Sequence, residues 1–71
     1  MTTIDTISLA RKGVSLILDG SKYTTIDLLS IAKIIAETKA HLTIRNASLK
    51  HTTIDLISLA KIAPNNITIE L

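Results

Sequence analysis

Thr24-Thr25-Ile26-Asp27-Leu28-Leu29-Ser30-Ile31-Ala32-Lys33-Ile34 returns almost unchanged as Thr52-Thr53-Ile54-Asp55-Leu56-Ile57-Ser58-Leu59-Ala60-Lys61-Ile62. A degenerate copy, Thr2-Thr3-Ile4-Asp5-Thr6-Ile7-Ser8-Leu9-Ala10-Arg11, precedes both. Three copies in 71 residues are not chance. They predict one domain, 1–71, built from units of approximately 2–20, 24–46 and 52–71.

Each copy opens as a helix should. Thr2, Thr24 and Thr52 stand at N-cap positions, and Asp5, Asp27 and Asp55 stand where a capping box and the helix dipole favour a carboxylate. Gly13 and Pro64 mark stops, with basic residues just before them. At 100° per residue Leu28, Leu29, Ile31, Ala32, Ile35 and Ala36 fill an arc of about 160°. So wide an apolar arc must meet a sheet below and helices beside it. Ile26, Ile34, Ile54 and Ile62 fall outside it, at matching positions, and form a candidate contact patch.

After each helix comes a period-two segment: Val14–Asp19, Leu42–Arg45 and Ile67–Leu71. The alternation predicts half-buried strands with Leu16/Leu18, Leu42/Ile44 and Ile67/Ile69/Leu71 inward. Aligning Leu18, Ile44 and Ile69 gives units of about 25 residues. Ser15, Thr43 and Thr68 are expected in one outward row; Ile17, Arg45 and Glu70 in another, with Arg45 beside Glu70. Strands joined by helical crossovers are parallel, and the crossover is right-handed. The expected fold class is α/β: a short right-handed solenoid, αβαβαβ, with a three-stranded parallel sheet and helices on one face. Helices are expected over 3–12, 25–39 and 53–62, strands over 14–19, 42–46 and 67–71.

Leu42-Thr43-Ile44-Arg45-Asn46-Ala47-Ser48-Leu49 resembles the strand and turn of a leucine-rich repeat. Leu59-Ala60-Lys61-Ile62-Ala63-Pro64-Asn65-Asn66-Ile67-Thr68-Ile69 resembles the helix, turn and following strand of such a unit. The resemblance implies an interaction scaffold without enzymatic activity.

Composition narrows the function classes. A chain of 7.7 kDa folds to about 4,300 Å² of surface from roughly 11,000 Å², burying only about 60%. There is no cysteine, hence no disulfide and no thiolate metal site. Yet 46% hydrophobic and 20% charged residues place the chain outside the disordered class. No apolar run approaches a membrane span; Ile34-Ile35-Ala36 is among the longest. No secretory leader is visible, and the expected compartment is cytoplasmic.

Chemistry candidates are few. The recurring Asp5, Asp27 and Asp55 are expected to cap helices rather than bind metal, and no cofactor is expected. His41 and His51 share no ligand spacing, and no catalytic set or phosphate loop appears. Of the net +2 charge, most basic residues sit in late helical turns. Lys22, Tyr23, Arg45, Lys50 and His51 remain as a candidate anion site in the strand-to-helix loops. One tyrosine makes no stacking platform, so nucleic acid is the disfavoured partner.

The favoured partner is a second copy, or another protein. Small domains without disulfides or metal need association, and an open three-stranded sheet offers edges for it. Ile67 to Leu71 lacks proline and glycine and bears one side-chain charge. A twofold dimer through this edge would involve Ile54, Ile57, Ile62, Ile67, Ile69 and Leu71.

Overall fold

The Thr-Thr-Ile-Asp copies start the helices where capping chemistry places them. A computed structural model describes residues 2–71. Helices α1 (Thr3–Arg11), α2 (Thr25–Thr38) and α3 (Thr53–Ile62) alternate with strands β1 (Leu16–Asp19), β2 (Leu42–Arg45) and β3 (Ile67–Ile69). The strands form one parallel sheet, β1-β2-β3, in the expected register Leu18–Ile44–Ile69. Leu42 and Ile44 of the central strand are fully buried beneath the helices, together with Leu28, Ile31, Ile35 and Leu59. The opposite sheet face, carrying Ile17, Arg45, Thr68 and Glu70, is open.

Several details differ from the expectation. The strands are shorter at both outer positions, and 3-10 turns at Gly20–Lys22 and Ala47–Leu49 bridge β1 to α2 and β2 to α3. The register puts Ile17, Thr43 and Thr68 in one outward row and Asp19, Arg45 and Glu70 in the next. Ser15 therefore lies level with His41, whose amide donates to its Oγ at 3.2 Å, and not with Thr43. Leu71, expected inward, lies past β3 with 78% of its surface exposed. Its carbonyl accepts from Ser48 Oγ instead, at 2.8 Å. Arg45 and Glu70 do pair, at 3.2 Å, but both are exposed and the pair contributes about 1 kcal/mol at most.

The caps repeat with one change of partner. Thr2, Thr24 and Thr52 each accept from the amide of the aspartate three residues on, at 3.2, 3.2 and 3.3 Å. Only Asp5 completes a capping box, accepting from the Thr2 amide at 3.2 Å. Asp27 and Asp55, expected to do the same, accept from the preceding helix instead. Thr3 Oγ1 donates to Asp27 and Thr25 Oγ1 to Asp55, each at 3.3 Å.

The helix ends follow local chemistry. Gly13, at φ +80°, takes the left-handed backbone beyond α1 that disfavours a Cβ. Lys39 does the same beyond α2 at φ 60°. Gly20 is required for a different reason, close approach. A Cβ there would lie 2.7 Å from Ile44 Cγ2 and 3.2 Å from the Arg45 carbonyl oxygen. Ile44 is fully buried and has nowhere to move. Gly20→Ala is therefore expected to cost about 1–3 kcal/mol, read as a lowered urea midpoint at unchanged slope.

Candidate functional site

The strand-to-helix loops bring the second and third copies into equivalent settings. Tyr23 and His51 each precede a Thr-Thr-Ile-Asp copy, and each reaches back to the helix before its own. The Tyr23 hydroxyl meets Thr6 Oγ1 of α1 at 3.0 Å. Because Thr6 donates to the Thr2 carbonyl, Tyr23 is the donor in this contact. His51 is buried, 6% exposed, and spans two units. Its Nε2 lies 2.7 Å from the Gly20 carbonyl oxygen and must donate to it. Its Nδ1 lies 2.9 Å from Thr25 Oγ1, whose single proton is shared between this nitrogen and Asp55 Oδ2 at 3.3 Å. Among the described residues no buried side-chain nitrogen or oxygen lacks a partner.

The five residues of the candidate anion site take different settings. Tyr23 and His51 turn inward to hydrogen-bond partners, Arg45 lies on the open sheet face with Glu70, and Lys22 and Lys50 remain exposed in separate loops. A shallow groove beside Lys22 and Tyr23 is also lined by Thr2, Thr3, Ile17 and Asp19. Asp19 accepts from the Ser21 hydroxyl at 2.6 Å and the Ser21 amide at 3.0 Å. These bonds hold its carboxyl below the ordinary value, and the groove sets this carboxylate beside the Lys22 ammonium. The Asp5 carboxyl is likewise lowered by the Thr2 amide and hydroxyl. His41, at the open face, pairs through Nε2 with Thr68 Oγ1 at 2.7 Å. Among the described residues no three His, Cys, Asp or Glu side chains converge as a metal would need. No helix among them is long and apolar enough to cross a membrane.

The apolar candidates lie at the α3/β3 end. Ile67 and Ile69 are half-buried against the core, on the outer strand of the sheet formed by the described residues. Ile57 is 49% exposed on the flank of α3 that faces away from α2. Ile62 lies two turns beyond Asp55, on the side facing α2, and packs against the core; Ile34 is its counterpart on α2. The four-isoleucine patch therefore divides. Ile34 and Ile62 fill helix-to-helix contacts, while Ile26 and Ile54 stand in solvent at 75% and 76% exposure. Ile4, in the same motif position and equally 75% exposed, extends that row and was not among the sequence candidates. Its position in the degenerate first copy was the available signal. Comparison with family models, with curated proteins and with solved structures finds no match.

Two outcomes follow from this geometry. His51→Leu removes the Nε2 bond to the Gly20 carbonyl, which keeps only the long bond from the Tyr23 amide at 3.4 Å, and is expected to destabilise the fold by about 0.5–1.5 kcal/mol in urea denaturation. The folded Asp19 pKa is depressed, so its stabilisation is complete above the ordinary carboxylate range and is lost as pH falls through the lowered value. Asp19→Asn is expected to flatten the acid limb of stability against pH, measured from about pH 5 down to about pH 2.

Proposed function

We propose that this chain is a non-enzymatic protein-interaction module that assembles with itself through its exposed sheet edge, in the smallest form a dimer. The observation that carries this reading is a comparison among equivalent positions. Ala10 and Ala32 are both fully buried, because α2 and α3 cover the flanks on which they lie. Ala60, their counterpart on α3, is only half-buried. Ile7 and Leu29 are likewise half-buried against the core, whereas Ile57 is 49% exposed. The α3/β3 end therefore carries the residues of an inter-unit contact without the next unit. The folded chain exposes 4396 Å², close to the value expected of a monomer of its mass, so its core is thin for a domain without disulfides. Association adds the missing burial.

The resemblance to leucine-rich repeat solenoids points in the same direction, toward a scaffold. Several titratable groups serve the fold: Asp5 closes its own cap, Asp27 and Asp55 accept from the preceding helix, His51 ties two units, and Arg45 pairs with Glu70. The rival reading, anion or nucleic-acid binding through Lys22 and Lys50, separates cleanly. Phosphate contacts weaken steeply with salt, whereas apolar edge burial does not. Light scattering and native mass spectrometry at micromolar concentration are expected to find dimers or larger species that persist in high salt. A folded monomer throughout overturns the proposal.

A further inference from the structure

The two ends of the molecule are not alike, and each carries what the other lacks. The contact between consecutive units is built twice within the chain, from the same residue positions. Its hydroxyl comes from the second threonine of one motif copy, Thr3 or Thr25, and its carboxylate from the next copy, Asp27 or Asp55. Around this hydrogen bond, Ile7 and Ala10 of α1 lie on the flank turned toward α2, as do Leu29 and Ala32 of α2 on the flank turned toward α3. They meet Ile31 or Leu59 from the following helix, both fully buried. Below it, a backbone amide donates to the carbonyl of the following strand. Leu16 donates to His41 at 2.9 Å and Leu42 to Asn66 at 2.8 Å.

At the α3/β3 end, the donor half of this contact is presented again. Thr53 is exposed, Ala60 is half-buried, Ile57 is 49% exposed, and Ile67, in register with Leu16 and Leu42, has its amide on the open edge. At the α1/β1 end lies the acceptor half. Asp5 is exposed where Asp27 and Asp55 are half-buried, and Leu9 is half-exposed where Ile31 and Leu59 are fully buried. A groove along this flank is lined by Asp5, Ser8, Leu9 and Lys12. Ser15 is in register with His41 and Asn66 and offers the equivalent carbonyl.

We propose that the occupant of each end is the opposite end of a second copy of this chain, stacked head to tail so that Thr53 donates to Asp5 and β3 pairs in parallel with β1 of the next molecule. This inference rests on the self-assembly reading and specifies its geometry. The contact is heterologous, so it continues into chains or closed rings rather than ending at a twofold pair. A twofold, antiparallel pairing of β3 with β3 would set the first turn of α3 beside the last turn of its mate, where Thr53 finds no carboxylate, and would leave Asp5 and Leu9 uncovered. One pair is mismatched in the stack: Glu70 would neighbour Asp19 of the next copy. Each is already drawn aside, Glu70 by Arg45 and Asp19 by Ser21.

Two substitutions outside the core cluster, Leu9→Lys and Ile57→Lys, block one end each. Each variant is first checked for native circular dichroism; its mass is then measured by light scattering, alone and in an equimolar mixture. Head-to-tail stacking requires each variant alone to associate roughly tenfold or more weakly than the wild type. The mixture then forms a dimer that grows no further, because only one intact pair of ends remains. A Leu9→Lys variant that still dimerises alone establishes a contact between two α3/β3 ends, which overturns the stacking while self-assembly stands. Ile57→Lys dimerising alone overturns it in the same way from the other end. Variants that stay apart on mixing, beside an associating wild type, also overturn it. A monomeric wild type removes the self-assembly reading itself.

Discussion

A carboxylate three residues into a helix can accept from its own N-cap amide or from a neighbour's hydroxyl, and here the choice sets the spacing of the whole molecule. Asp27 and Asp55 turn to Thr3 and Thr25 of the preceding helices, while Asp5, on the first described helix, closes on its own cap. Hydrogen bonds to charged groups contribute about 1.5–3 kcal/mol at best, and at 3.3 Å these belong at the low end. Their larger effect is on register. They fix the first turns of consecutive helices side by side, so that Ile31 and Leu59 close against the helix before them.

His51 performs the matching task at the loop level. Its ring joins the Gly20 carbonyl below β1 to Thr25 at the start of α2, from a position just before α3. One side chain thereby holds the connection between β1 and α2 to the loop before α3. Tyr23 makes the simpler version of this link to Thr6. Gly20 completes the arrangement by letting the turn after β1 approach Ile44 and the Arg45 carbonyl more closely than a Cβ would allow. The loops are therefore tied to neighbouring units by hydrogen bonds. Tyr23 and His51 bond inward from them, while Lys22 and Lys50 remain exposed.

Element order, strand register and parallel pairing were legible in the primary structure because two independent periods overlap there. The motif recurrence counts units, and the period-two alternation of Leu16–Leu18, Leu42–Ile44 and Ile67–Ile69 sets which residues face inward. The N-caps were legible too, since capping is a contact between residues three apart. The candidate site was legible only as a list of residue types. Whether His51 faces solvent or Gly20 depends on a carbonyl 31 residues away, which no local pattern encodes.

The amino-acid sequence by itself determined the three units, their helices and strands, and the positions of their caps, because those follow from contacts within a turn or from simple periodicity. Tertiary structure alone decided the partners of the shared groups. It assigned Asp27 and Asp55 to the preceding helices, His51 to the interior, and Ile34 and Ile62 to helix flanks while leaving Ile4, Ile26 and Ile54 in solvent. The physical reason is that equivalent residues in a recurring motif have identical local chemistry. Their burial differs only according to whether another unit stands beside them.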